Sequence, residues 1–68
     1  MEKVKIDTEF IKLDQFLKWM SIVGSGSDAK EIIYNGCVCV NGEVEIRRGK
    51  KLRPGDIIEV DEKKFIIE

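Results

Sequence analysis

The ten residues 46–55 hold five of the chain's twelve Lys and Arg side chains and no Asp or Glu. The five are Arg47, Arg48, Lys50, Lys51 and Arg53. Clustered cations attract phosphate, and Arg can also fork onto two phosphate oxygens or stack on a base. The whole chain has a formal net charge of −1, so everything outside this segment carries −6. Because charges more than about 10 Å apart are largely screened at 0.1 M ionic strength, the sequence predicts one local anion-binding segment.

The sequence shows no set of residues suited to catalysis or metal binding. It has no His, which is the commonest general base and the usual partner of a Ser or Cys nucleophile. Cys37 and Cys39 are two apart in a predicted strand, which places them about 6 to 7 Å apart and makes a mutual disulfide unfavourable. A four-ligand zinc site would need several carboxylates. We therefore expect reduced thiols, no cofactor, no metal, no small-molecule substrate and no enzymatic activity.

Length and composition indicate one small globular domain. With 68 residues there is room for a single core, so we expect one domain spanning 1–68. The hydrophobic fraction of 43% and the charged fraction of 37% are typical of a soluble protein, and no long apolar run predicts a membrane span. The mixed charges of Met1 to Lys5 do not resemble a signal peptide. We expect a cytoplasmic location.

Two short helices must position the basic segment. Leu13, Phe16, Leu17 and Met20 follow the spacing of one apolar helix face, and this first helix should end before Gly24. Short apolar stretches at 4–6 and 10–11 suit a leading strand or arm.

A loop of small residues follows, and its end should cap a second helix. Ser27 or Asp28 is the expected N-cap, the latter with Glu31 three residues later as in a capping box. Asn35-Gly36 should end this helix, because Gly readily adopts a left-handed conformation.

After Gly36 the apolar residues alternate, which predicts strands. Residues 37–40 and 43–46 should form a hairpin around Asn41-Gly42, with Val38 and Val40 on one face and Val44 and Ile46 on one face of the partner strand. A Pro-Gly turn at 53–56, a strand at 57–60, a polar turn at 61–64 and a last strand at 65–67 complete the pattern. The expected fold is α+β, with two short helices packed on a small, mainly antiparallel sheet.

From Lys12 to Val60 the sequence resembles the RNA-binding domain named after ribosomal protein S4 of the small subunit, the S4 domain. The matching segments are 12–14 with 16–17, 25–30, 36–42 and 52–60. An Asn-Gly hairpin followed at this distance by Pro-Gly-Asp is specific, because both turns and both strands must agree in spacing. The run from Arg47 to Lys51 is similar to one in small stand-alone bacterial members, which are free modules without a catalytic domain.

The resemblance implies that RNA binds against the two helices and the loop beside the hairpin. The candidate RNA-binding residues are Lys12, Ser25, Ser27, Lys30, Asn41, Arg47, Arg48, Lys50, Lys51 and Arg53. Free backbone N–H groups at 27–30 would add an anion-binding helix start. Gly26 is a departure, because many members have a basic residue there, so one phosphate contact is missing. Trp19 and Tyr34 are expected to be partly buried packing residues rather than base-stacking ones.

By this resemblance the chain is a non-catalytic module for structured RNA. Ribosomal RNA or a ribosome-assembly intermediate is the first expected target, transfer RNA is the second, and ribosomal particles are candidate partners. One alternative is a protein-interaction adaptor whose basic loop docks on an acidic partner. DNA binding on charge alone and a small enzyme are further alternatives.

Overall fold

The computed structural model describes all residues from Met1 to Glu68 and contains two helices and seven short strands. The helices are α1 (Leu13–Trp19) and α2 (Gly26–Tyr34). The strands are β1 (Glu2–Val4), β2 (Ile11–Lys12), β3 (Val38–Val40), β4 (Glu43–Val44), β5 (Lys51–Leu52), β6 (Ile57–Val60) and β7 (Lys63–Ile67). Neither helix is long and apolar enough to cross a membrane.

Five strands form the main sheet, in the order β1-β7-β6-β3-β4, while β2 and β5 pair separately as a two-stranded ribbon. Only β1 and β7 are parallel, and every other pair is antiparallel. The predicted α+β fold with a mainly antiparallel sheet is therefore confirmed.

The helices pack on one face of the sheet, because every second residue along its strands is apolar and points to that face. Val38, Val40, Ile58 and Val60 are buried from β3 and β6, and Phe65 is buried from β7. The other buried apolar residues are Val4, Leu13, Phe16, Leu17, Ala29, Ile33, Leu52 and Ile67. The core includes an edge-to-face pair between the rings of Phe16 and Phe65, with centroids 5.5 Å apart.

The helix boundaries differ from the prediction at two places. Helix α1 ends at Trp19, and Ser21 follows with a φ of 58°, so Met20 lies beyond the helix and is only partly buried. The N-cap of α2 is Ser25 rather than Ser27 or Asp28. The Ser25 side chain accepts the Asp28 backbone N–H at 3.2 Å, which satisfies one of the free donors at the helix start.

The strands also differ in extent. Strand β4 ends at Val44 instead of Ile46. The Glu45 N–H still donates to the Val38 carbonyl at 2.9 Å, and beyond it the chain turns to α1, where the carbonyls of Arg48 and Lys50 accept N–H groups. Val44 and Ile46 are both exposed. The turn between β6 and β7 contains only Asp61 and Glu62, both with positive φ, so the two lysines expected in the turn belong to β7. The first strand, β1, covers Glu2–Val4 rather than the predicted residues 4–6. It pairs in parallel with β7, where Val4 lies opposite Ile67.

Candidate nucleic-acid interface

The β2–β5 ribbon places two distant lysines side by side. Lys12 is the cross-strand partner of Lys51, and Ile11 is the partner of Leu52. Leu52 is fully buried, whereas Lys51 and Lys12 are exposed, so the ribbon is held by its apolar side and presents cations on the other. Like charges directly opposite each other are unfavourable without a counter-ion. An anion bound between Lys12 and Lys51 would relieve this repulsion, so the pairing favours an anion-binding site there.

The basic loop between β4 and β5 is attached to the first turn of α1. The backbone N–H of Leu13 donates to the carbonyl of Lys50 at 2.9 Å, and that of Asp14 donates to the carbonyl of Arg48 at 3.1 Å. Helix starts leave backbone N–H groups without intrahelical partners, and here the loop carbonyls accept two of them. These donors hold the loop in place and are consequently not free for phosphate.

An open groove with a volume of about 500 Å³ lies along this segment. Its lining residues are Arg47, Gly49, Lys50, Lys51 and Arg53. None of them is acidic or apolar, so the groove combines four cations with a glycine that leaves the backbone accessible. Such a surface can bind phosphate oxygens through charge-assisted hydrogen bonds.

The ring of Phe10 contacts two of the groove cations. The Nζ of Lys51 lies 4.9 Å from the centroid of its ring, and the Cζ of Arg53 lies 5.7 Å from it. These are cation–π distances, so the ring helps to orient both side chains. No sequence pattern assigned Phe10 to the site. Its position two residues before Lys12 was a weak signal, because the antiparallel pairing that brings it to Arg53 could not be read from the sequence.

Arg47 is paired with an acid that lies just outside the acid-free segment. Its Nε donates to Oε2 of Glu45 at 3.0 Å and its Nη2 donates to Oε1 at 3.2 Å, while its backbone N–H donates to Oε2 at 3.1 Å. These side-chain hydrogen bonds from Arg47 hold the pKa of the buried Glu45 below its ordinary value. The prediction treated Arg47 as a free cation, but in space it belongs to an ion pair.

The start of α2 offers fewer free donors than expected. The N–H of Asp28 is bound by the Ser25 hydroxyl and that of Ala29 by the Ser25 carbonyl, which leaves those of Gly26 and Ser27. The Asp28 carboxylate in the first turn also opposes an incoming anion. Neither serine lines the groove, so their RNA contacts stay a prediction.

Lys30 and the two exposed aromatic residues lie apart from the groove lining. The Nζ of Lys30 is 5.6 Å from the Tyr34 ring centroid. Trp19 is 54% exposed and Tyr34 is 59% exposed, so the expectation of partial burial was wrong for both. Each is the last residue of its helix, where the apolar stripe no longer faces the sheet.

Asn41 has a structural role in the turn region. It adopts a φ of 54°, its Nδ2 donates to Oδ1 of Asp56 at 3.0 Å, and its Oδ1 accepts the Ile57 N–H at 2.9 Å. Asp56 in turn accepts the Arg53 N–H through Oδ2 at 2.9 Å. Asn41 therefore connects the hairpin to the turn that follows the groove, and an RNA contact by its side chain stays a prediction.

We expect Asn41→Ala to lower the free energy of unfolding by about 1 to 3 kcal/mol, since it removes two hydrogen bonds and puts Ala in a left-handed conformation. Asn41→Gly removes the same hydrogen bonds but tolerates the positive φ, so it should cost less. Urea unfolding of the three proteins measures both effects. Equal stability of the Ala variant and the unaltered protein would contradict the assigned role.

Comparison with known protein families agrees with the resemblance seen in the sequence. The sequence model of the S4 domain matches residues 4–68. The probable ribosome maturation protein RlbA of Bacillus subtilis (strain 168) is 45% identical over 58 residues, which cover 85% of this chain and 82% of that protein.

Proposed function

The chain belongs to the S4 domain family, and from that premise we propose that it is a non-catalytic module that binds structured RNA through the groove beside the β2–β5 ribbon. The observation that carries the proposal is the groove itself, which is lined by four cations and no acid. Lys12, Arg48 and Phe10 extend it, because Lys12 pairs with Lys51, Arg48 belongs to the same loop, and Phe10 orients two of the lining cations.

The exposed face of the main sheet favours structured over extended RNA as the ligand, because it lacks a platform on which the bases of a single strand could stack. RNA-binding sheets that read single strands use aromatic residues on which bases stack. Here one cross-strand row of that face consists of Val44, Cys39, Glu59 and Lys64, with no aromatic residue. The basic groove suits the closely spaced phosphates of a folded RNA, so recognition rests mainly on shape and backbone charge.

Ribosomal RNA, free or in an assembly particle, is the target we propose first. This choice is supported by the similarity to a probable ribosome maturation protein, which covers 85% of the chain. Transfer RNA is the second choice. Residues Ser25, Ser27 and Lys30 at the start of α2 are proposed as secondary contacts.

The test is binding of the unaltered protein to a folded ribosomal RNA fragment, and to a DNA of the same sequence, across a salt series. We expect three to five neutralised phosphates, which correspond to a slope of log affinity against log salt of roughly −2 to −4.5. Binding should favour RNA, because the 2′-hydroxyl and the A-form helix differ in DNA. Absence of RNA binding at low salt would refute the proposal, and particle association that survives ribonuclease would point to an acidic protein partner instead.

A further inference from the structure

Arg47 differs from the other groove cations by having an acidic partner. The ion pairs of the structure are Lys3 with Glu68 and Arg47 with Glu45. Lys50, Lys51 and Arg53 have none within 4.0 Å, so they remain available as counter-ions for phosphate. Because Glu45 already neutralises its charge, Arg47 should release few of the counterions condensed on the RNA and should contribute little to the salt dependence of binding.

The geometry of the pair fixes the plane of the Arg47 guanidinium. Two side-chain hydrogen bonds engage one edge of it, and a third bond ties its backbone N–H to the same carboxylate. The Glu45 side chain is 11% exposed and the Arg47 side chain is 72% exposed, so the partner is buried while the guanidinium stays accessible. Of its five N–H donors the pair uses only two, and most of the side chain is exposed.

A phosphate could reach the unused N–H donors of Arg47, but the Glu45 carboxylate on the other edge of the guanidinium offsets the charge that would attract it. Displacing Glu45 would also be unfavourable, because its side chain is only 11% exposed and would lose its hydrogen-bonded partner. The ion pair therefore favours a ligand that contacts Arg47 without needing its charge. A nucleobase is such a ligand, since unpaired bases stack on Arg guanidinium planes.

Resting on the proposed function, we propose that Arg47 is a base-stacking contact for an unpaired nucleotide whose flanking phosphates are bound by Lys50, Lys51 and Arg53, and that Glu45 is its positioning residue. The groove then recognises a bulge or loop next to a helical stem. Arg47 supplies the planar contact, and the cations without an acidic partner, Lys50, Lys51 and Arg53, supply the salt-dependent affinity. Glu45 acts only through Arg47.

The probes are an RNA hairpin with a single-adenosine bulge and the same hairpin fully paired, each measured across a salt series. The test variant is Glu45→Gln with Arg47→Gln, which leaves the net charge unchanged and replaces the ion pair by two amides that can bond each other. The matched control is Lys51→Gln, which changes an exposed lining residue of the groove that has no acidic partner. Thermal unfolding checks that both variants fold.

We expect the unaltered protein to prefer the bulged hairpin by about 5-fold or more, the amount that one stacked base supplies. The double variant should lose that preference and keep the salt slope, whereas Lys51→Gln should keep the preference and flatten the slope by about 0.7 to 0.9. A double variant that keeps the preference, or that flattens the slope as much as Lys51→Gln does, overturns the inference while RNA binding stands. Absence of salt-dependent binding to either hairpin by the unaltered protein overturns both proposals.

Discussion

Replacing Arg48, Lys50, Lys51 and Arg53 together by Ala should weaken binding to structured RNA by on the order of 10²- to 10³-fold at about 0.1 M salt. Each cation that neutralises a phosphate contributes about 0.7 to 0.9 to the salt slope, so the slope should lose most of its value, with Lys12 and Lys30 supplying what remains. Arg47 is left in place because it compensates the buried Glu45. The measurement is a salt series of equilibrium binding on both proteins.

A matched control separates local charge from net charge. Changing Lys5, Lys18, Lys63 and Lys64 to Ala also removes four positive charges, but from positions outside the groove. We expect this variant to bind RNA with nearly the affinity and salt slope of the unaltered protein, since distant exposed charges are screened. If the two variants lose affinity equally, binding depends on net charge and the groove is not the site.

Leu52→Ala should lower the free energy of unfolding by about 2 to 5 kcal/mol, the usual range for a fully buried Leu. Leu52 is the inward residue of β5 and joins the ribbon to the core. At about 0.05 to 0.15 kcal/mol per residue, a protein of this size has only roughly 3 to 10 kcal/mol of stability in total. The variant should therefore unfold at a much lower urea concentration, with RNA binding reduced in proportion to the folded fraction.

Lys51, the neighbour of Leu52 in β5, should show the opposite result, which is a loss of RNA affinity with little change in stability. Lys51→Ala removes an exposed side chain that faces Lys12 across the ribbon, so stability should change by no more than about 0.5 kcal/mol. RNA affinity should still fall, because a groove cation is lost. Urea unfolding and RNA binding of both variants give the comparison. A large loss of stability in Lys51→Ala, or none in Leu52→Ala, would show that the two faces of β5 are wrongly assigned.

Much of the fold could be predicted because it depends on local signals. The spacing of Leu13, Phe16 and Leu17, and the Asn41-Gly42 turn, each specify a local structure through steric and hydrogen-bond rules. The boundaries were less accurate, since competing local options have similar energies. Ser25, Ser27 and Asp28 are all good N-caps, and only the path of the chain from α1 selects Ser25.

The exposure of side chains at helix ends could not be predicted. Trp19 and Tyr34 adjoin apolar stripes, which indicates burial, yet each is the last residue of its helix and extends past the sheet. Helix length in three dimensions decides whether such a residue meets the core. Short helices are ended by tertiary contacts as well as by sequence.

The α+β fold and the position of the basic segment could be predicted because they depend on periodicity, turn residues and local charge, and the S4 domain family was indicated by the resemblance of four segments. Which cations lie close together depended on the folded chain. It placed Lys12 opposite Lys51, brought Phe10 to Lys51 and Arg53, and neutralised Arg47 with Glu45. Side-chain electrostatics act over a few ångströms in space, and at this range strand register and burial, rather than distance along the chain, set the partner of each charge.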